Sequence, residues 1–122
     1  KFIKTHRLEA STELVSADTD FYSLLRNADI YVHPARTAEH LDDVLDAMAS
    51  KLPVLVTDVP GADTLVANGI SGIIVNAGEE EPLTIALDEL MVNWGKRVGM
   101  AIEASHHKER FPFEVFAELV FQ

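Results

Sequence analysis

The chain has 122 residues, of which 48% are hydrophobic and 25% are charged, and this balance is typical of one folded domain rather than a disordered segment. Twenty acidic against ten basic residues give a net charge of −10, which disfavours nucleic acid and anionic lipid because both require clustered cations. The absence of cysteine excludes disulfides and thiolate metal sites, and no apolar run reaches the roughly 18 residues of a transmembrane span. Residues 1–9 lack the apolar centre of a signal peptide, so we expect a cytoplasmic location.

The sequence from residue 18 onward alternates between helix and strand patterns. A first helix is predicted with Asp18 or Thr19 as its N-cap, because these side chains accept hydrogen bonds from the first N–H groups of a helix. The segment 7–15 before it is compatible with a strand or with a loop, and the sequence leaves this choice open. The apolar residues of the helix recur at helical spacing: Phe21, Leu24, Leu25 and Ala28.

Two short apolar segments, 30–33 and 53–57, predict buried strands on either side of a helix. The second strand is apolar throughout its centre, which is typical of a strand covered on both faces in a parallel sheet. The intervening helix is predicted over 40–51, with one buried face. Its apolar stripe comprises Leu41, Val44, Leu45, Met48 and Ala49.

The alternation continues in the second half of the chain. A turn with a short helix is predicted over 60–69, with Gly69 at the C-cap, and a third strand over 72–75. Strands that alternate with helices predict a parallel sheet with helices on both faces and right-handed crossovers. Ligands in such sheets bind outside the carboxyl ends of the strands, which here are the segments 33–40, 57–64 and 76–81.

The last third of the chain predicts two more helices. Gly95 and Gly99 are expected to interrupt the chain between them, and Pro112 is expected at the first turn of the closing helix. Trp94 lies between two helical segments, where we expect it to pack. The apolar stripe of the earlier helix comprises Leu83, Ala86, Leu87, Leu90 and Met91.

Several small and turn residues fall at regular positions in four ordered segments that cover roughly residues 18–120: "LLRNADIYVHPAR", "LDAMASKLPVLVTDVPG", "TLVANGISGIIVNAG" and "RFPFEVFAEL". In this order the segments resemble the C-terminal half of retaining GT-B glycosyltransferases of family 4, which move sugars from nucleotide-diphosphate donors. The resemblance implies an α/β fold, with a Rossmann-like parallel sheet and flanking helices that form the latter part of a GT-B C-terminal domain. Residues 1–122 would then be a single, partial donor-binding domain.

The function implied by this resemblance is the donor nucleotide-sugar half-site of a hexosyltransferase that acts in glycan or glycolipid synthesis. In this family the catalytic Arg and Lys lie earlier in the domain and the acceptor site lies in a separate N-terminal domain, so the 122 residues alone are expected to be inactive. The expected partners are a nucleotide-diphosphate sugar and either the N-terminal acceptor domain or a second copy of the chain. No cofactor and no metal ion are expected.

The same resemblance implies where the donor binds. In this family two glutamates, separated by seven residues, flank a glycine-rich turn whose backbone amides hold the diphosphate and the sugar. The first glutamate falls on Ala38, which has no carboxylate, and the second falls on Asp46, which can still accept hydrogen bonds from ribose hydroxyls. The turn contains no glycine and falls on Glu39, His40, Leu41 and Asp42.

The acids Glu39, Asp42 and Asp43 occupy the region where this family keeps neutral glycines. Two like charges about 4 Å apart repel by about 1 kcal/mol in water and by more in a drier site, so these acids weaken diphosphate binding. This favours an alternative, a degenerate GT-B module used for protein–protein contact. A nucleotide-sugar epimerase of the same fold is a third hypothesis.

Some remaining residues allow an ordinary structural role. His33 ends a strand at the ligand edge, where a histidine bonded to the backbone is as well supported as a ligand contact. Adjacent side chains on a helix point about 100° apart, so we expect His106 and His107 to be solvated rather than to chelate a metal together.

Overall fold

The computed structural model describes residues 11–16 and 18–109. Residues 11–16 form no strand, whereas residues 7–10 and the closing helix predicted near Pro112 lie outside the described part of the chain. Within that part, no helix is both long enough and apolar enough to cross a bilayer. The elements, in order, are α1 (Phe21–Arg26), β1 (Tyr31–His33), α2 (Leu41–Ala49), β2 (Val54–Thr57), α3 (Ala62–Leu65), β3 (Gly72–Val75), α4 (Glu80–Val92) and α5 (Trp94–Glu109).

The strands form one parallel sheet in the order β1-β2-β3, which confirms the predicted α/β fold. Val32 of β1 pairs with Leu55 of β2, and Leu55 pairs with Ile73 of β3. All four residues of β2 are buried, in agreement with the unbroken apolar sequence of this strand.

Helices cover both faces of β2, because successive side chains of a strand point to opposite faces. The two valines of β2 lie in a core cluster with the apolar face of α2 and with residues of α1 and α3. Leu55 lies in a second cluster with Leu90 of α4. Helix α5 adds Ala104 to the first cluster and Met100 to the second. The sheet is therefore Rossmann-like, with flanking helices.

Two predicted helix ends are wrong. The N-cap of α1 is Asp20, later in the chain than predicted, and its Oδ1 accepts a hydrogen bond of 3.1 Å from the N–H of Tyr22. Helix α3 ends at Leu65, so Gly69 is not its C-cap. Gly69 instead adopts a φ of +83° in the turn before β3, where its N–H donates to the carbonyl of Gly72 at 2.8 Å.

The interruption predicted at Gly95 and Gly99 is also wrong, because α5 runs through both glycines. Glycine in a helix interior costs about 1 kcal/mol, and the burial of Met100 on the same helix offsets this cost. Trp94 is not packed as expected, since it is 70% exposed at the start of α5, and Met91 is 57% exposed.

Helix α2 has a left-handed residue next to each end, and neither residue is glycine. His40 is the N-cap with a φ of +61°, and Lys51, just beyond the C-cap, has the same φ. The N–H of Lys51 donates to the carbonyl of Met48, and that of Leu52 to Ala47, both at 3.1 Å. These two bonds form a Schellman motif, which normally has glycine at the position of Lys51.

Gly72, the first residue of β3, permits close packing of β3 against β2. A Cβ at this position would lie 2.6 Å from Val54 Cγ2 and 2.8 Å from both Val54 O and Val66 Cγ1. A larger residue would therefore displace the central strand. The close approach of β3 to β2 therefore leaves no room for a side chain at this position.

Candidate functional site

The carboxyl ends of the three strands meet at one edge of the sheet, which is where ligands bind in open α/β sheets. Between the segment after β1 and the start of α4, this edge forms a cleft of about 260 Å³. The cleft is lined by Pro34, Arg36, Thr57, Gly78, Glu79, Glu80 and Leu83.

A larger hollow of about 760 Å³ lies along α4. Its charged lining residues are all glutamates, so it offers no cation to an anionic ligand: Glu79, Glu80, Glu81 and Glu89. The smaller cleft at the strand ends is therefore the better candidate for a phosphate-containing ligand.

The turn over residues 39–42 leads from β1 into α2 at the same edge. The left-handed conformation of His40 bends the chain there, and its carbonyl accepts a hydrogen bond of 3.0 Å from the N–H of Asp43. The His40 side chain makes no capping hydrogen bond to the helix. The turn thus has the positive φ that glycine would provide, although a histidine occupies the position.

His33 connects the end of β1 to this turn. Its Nε2 lies 3.1 Å from the carbonyl oxygen of Glu39, and its Nδ1 lies 3.1 Å from the hydroxyl oxygen of Tyr31. Because a carbonyl only accepts, Nε2 carries the proton, and in the neutral ring Nδ1 accepts the hydrogen bond from Tyr31. His33 is 8% exposed, and both of its ring nitrogens have partners, so its role is to hold the turn.

The start of α2 has a negative electrostatic field. Burial first, and then the carboxylates of Asp43, Asp42 and Asp46, raise the pKa of Tyr31 to about 12. Burial and then Asp42 also raise the pKa of the Asp43 carboxyl, against a smaller opposing effect of His40. These causes indicate that the carboxylates repel one another and disfavour ionisation of Tyr31.

Thr57 joins β2 to the segment after β1. It is 3% exposed, and its hydroxyl lies within hydrogen-bond distance of the carbonyls of both Ala35 and His33, 3.2 Å from the latter. At the same edge, the N–H of Asp58 donates to the carbonyl of Val75 at 2.7 Å. The floor of the cleft is therefore held by hydrogen bonds between all three strand ends.

The sequence-predicted donor residues lie at the start of α2, and none of them lines the cleft. Asp46 is half-buried, one helical turn after Asp42. The side chain of Leu41 is 7% exposed and belongs to the core, so Leu41 can offer a ligand only its backbone. The exposed side chains of this set belong to Glu39, His40 and Asp42, and Ala38 before them is also exposed.

Sequence reasoning missed Arg36, which lines the cleft together with Glu79 and Glu80. The available signal was its position directly after a strand, in "HPAR", at the predicted ligand edge. Among the described residues, no three His, Asp or Glu side chains are arranged to hold a metal ion.

A parallel sheet covered on both faces, with a cleft at the carboxyl ends of its strands, defines the Rossmann-like class of α/β folds. Residues 1–107 match the model of the family "Glycosyl transferases group 1". The chain therefore belongs to the group 1 glycosyl transferases.

Curated relatives agree with this family. The chain is 28% identical over 95 residues to a D-inositol 3-phosphate glycosyltransferase of Corynebacterium urealyticum, with 78% of the chain and 22% of the relative covered. It is 28% identical over 78 residues to a capsular polysaccharide biosynthesis glycosyltransferase of Staphylococcus aureus, with 64% of the chain and 20% of the relative covered. The chain spans about a fifth of the length of these relatives.

Two solved structures share the fold. The C-terminal domain of a glycosyl transferase group 1 family protein from Francisella tularensis aligns with a TM-score of 0.76 at 20% identity, over 87% of this chain and 56% of that one. A glycosyltransferase from Rickettsia africae also gives a TM-score of 0.76 at 20% identity, over 97% of this chain and 34% of that one.

Proposed function

We propose that this domain holds the nucleotide-diphosphate sugar donor of a hexosyltransferase that acts in glycan or glycolipid synthesis. The observation that carries the proposal is the turn over 39–42, which lies at the carboxyl edge of a parallel sheet in a group 1 glycosyl transferase. The names of the relatives refer to an inositol phosphate and to a capsular polysaccharide, and both are rich in hydroxyls that could accept a sugar. In this proposal a further domain supplies the acceptor side.

The proposed contacts follow from the start of α2. The first N–H groups of a helix have no partner within the helix and attract anions, so the backbone of 39–42 holds the diphosphate or the sugar. The left-handed backbone of His40 sets the direction of this turn, and His33 fixes the carbonyl of Glu39 before it. Asp46, one turn further along, accepts hydrogen bonds from the ribose hydroxyls.

The acids in this region set the expected strength of binding. Asp42 and Asp43 occupy the first turn of α2 and already satisfy part of the helix dipole. Each also repels a diphosphate, by about 1 kcal/mol in water at about 4 Å and by more when water is excluded. We therefore expect weak donor binding that improves when one of these charges is removed.

Calorimetric titration with UDP, GDP and ADP tests the proposal. We expect one nucleotide to bind, Asp46→Ala to weaken that binding at least tenfold, and Asp88→Ala, which removes an exposed acid on α4, to leave it unchanged. Ala38→Glu combined with Asp42→Asn should increase the affinity about tenfold, which corresponds to about 1.4 kcal/mol.

If neither the wild type nor the double variant binds a nucleotide while circular dichroism shows an intact fold, the donor site is rejected. The degenerate module for protein–protein contact would then be the remaining hypothesis. The cytoplasmic location stays a prediction, which cell fractionation tests.

A further inference from the structure

Arg36 is the cation of the candidate cleft. Among the described residues that line the cleft, it alone carries a positive charge, and the acids Glu79 and Glu80 also line it. Within the described part of the chain, Arg36 makes no ion pair or side-chain hydrogen bond, although these carboxylates line the same cleft. An exposed guanidinium that is not engaged by the protein is available to a ligand.

A hydrogen bond from strand β2 fixes the backbone next to Arg36. The buried hydroxyl of Thr57 bonds to the carbonyl of Ala35, the residue directly before Arg36. Pro34 restricts the backbone one residue earlier because its ring fixes φ. The position from which the Arg36 side chain reaches the cleft is therefore set by strand β2, although the side chain itself is exposed.

The chemistry of the cleft matches the diphosphate part of a donor. Arginine presents a planar fork of donors that binds phosphate oxygens in pairs. The carboxylates of Glu79 and Glu80 would repel the same phosphate, and Arg36 is the cationic side chain among the described lining residues that offsets this repulsion. At the other side, the turn over 39–42 contributes backbone N–H groups and contains neither lysine nor arginine.

We propose that Arg36 contacts the diphosphate of the donor and that Thr57 is the positioning residue that holds Arg36 at the cleft. This inference rests on the proposed function, because it assigns a further contact to the same donor. It commits to the ligand chemistry of a diphosphate, which Arg36 would contact together with the backbone of 39–42, and it leaves the ribose to Asp46.

The first experiment compares UDP, uridine and inorganic pyrophosphate as ligands in calorimetry. Arg36→Gln should weaken UDP and pyrophosphate binding at least tenfold and leave uridine binding unchanged, whereas Arg36→Lys should retain part of the affinity. The salt dependence of UDP binding should also become less steep in Arg36→Gln, because one phosphate contact is lost. The matched control is Arg97→Gln, which removes an arginine of α5 near the opposite edge of the sheet and should change none of these values.

The second experiment separates positioning by Thr57 from general stabilisation. Thr57→Val should weaken pyrophosphate binding, and Thr57→Ser, which keeps the hydroxyl, should restore it. In the Arg36→Gln background, Thr57→Val should cause no further loss of pyrophosphate affinity. An equal loss of uridine and pyrophosphate affinity in Thr57→Val would show a merely structural role and would overturn the assignment.

The outcomes for Arg36 and for the donor site are distinguishable. If UDP binds in an Asp46-dependent manner and Arg36→Gln changes nothing, the inference fails and the proposed function stands. If UDP does not bind but pyrophosphate binds in an Arg36-dependent manner, the anion contact stands and the proposed function fails. If neither ligand binds to a folded protein, both are overturned.

Discussion

The imidazole Nε2 of His33 donates a hydrogen bond of 3.1 Å to the carbonyl oxygen of Glu39 and thereby joins the last residue of strand β1 to the turn that begins helix α2. The acceptor precedes the left-handed residue His40, so this bond fixes the chain at the point where its direction changes. The histidine at the end of this strand thus stabilises the backbone of the turn rather than contacting a ligand.

We expect His33→Ala to lower the free energy of unfolding by about 2 kcal/mol, because it removes two partly buried hydrogen bonds and the packing of the imidazole ring. Tyr31→Phe removes only the bond to Nδ1 and should cost about 1 kcal/mol. Tyr22→Phe is the control, since Tyr22 is 54% exposed and should cause no change. Urea unfolding measures all three variants, and equal effects of the two tyrosine variants would contradict the assigned network.

The Asp43 carboxyl should make stability depend on pH. Burial and Asp42 raise its folded-state pKa above 3.8, so the folded protein binds the proton more tightly than the unfolded chain does. The stability that this group contributes is complete below pH 3.8 and is lost as the pH rises through the higher folded-state pKa. Asp43→Asn should therefore gain stability over the wild type as the pH rises through this window.

Thermal unfolding of Asp43→Asn and the wild type between about pH 3 and 7 checks this sign, since the window lies above the ordinary aspartate pKa. Asp88→Asn on the exposed face of α4 is the matched control for the loss of one aspartate charge. A stability difference for Asp43→Asn that shrinks with rising pH would refute the account.

Lys51→Gly should raise the free energy of unfolding by about 1 kcal/mol, because Lys51 adopts a φ of +61° in the Schellman motif. Glycine adopts this conformation without the clash of a Cβ, although it adds some entropy to the unfolded chain. Lys51→Ala keeps the Cβ and should give no comparable gain. If both variants gain equally in chemical denaturation, loss of the lysine charge rather than relief of backbone strain is responsible.

The same substitution should have opposite effects at two glycines. Gly72→Ala should destabilise by about 1–3 kcal/mol, because its Cβ would lie 2.6 Å from a Val54 methyl group. Gly99→Ala should stabilise by up to about 1 kcal/mol, because Gly99 lies in α5 and, apart from the backbone of this helix, no atom of the described residues lies within 4 Å of the added Cβ. Differential scanning calorimetry compares the sign of the stability change in the two variants. A gain in stability for Gly72→Ala would contradict the close contact between the strands.

The strands and the first core helices could be predicted because their patterns depend on burial. The centre of segment 53–57 is apolar and lies in the central strand Val54–Thr57, and the stripe from Leu41 to Met48 packs on it. The boundary at Asp20 was missed because three neighbouring residues can all cap a helix, and only the fold decides between them. The interruption predicted at Gly95 and Gly99 does not occur, because tertiary packing of α5 outweighs the low helix propensity of glycine.

The position of the candidate site in the fold could be predicted, but the residues and backbone conformations that form it could not. Strand order alone directs attention to the carboxyl edge, where the turn over 39–42 and the cleft both lie. The left-handed backbone of His40 could not be assigned from the sequence, because this conformation is uncommon for any residue other than glycine, although histidine adopts it more often than most. Arg36 was missed for a related reason, since a charged residue in a loop resembles ordinary solvated surface until the cleft beside it is known.

Left-handed residues next to both ends make α2 a spacer of fixed length between the turn over 39–42 and the central strand. Each residue inserted into a helix rotates what precedes it by about 100° and shifts it by about 1.5 Å. A one-residue insertion in α2 would therefore point the turn away from the sheet edge, whereas an insertion of about one full turn would restore its direction at a greater distance. Homologous chains should accordingly vary in length before His40 or after Lys51 more readily than between them, because the length of the helix sets the distance between the turn and the central strand.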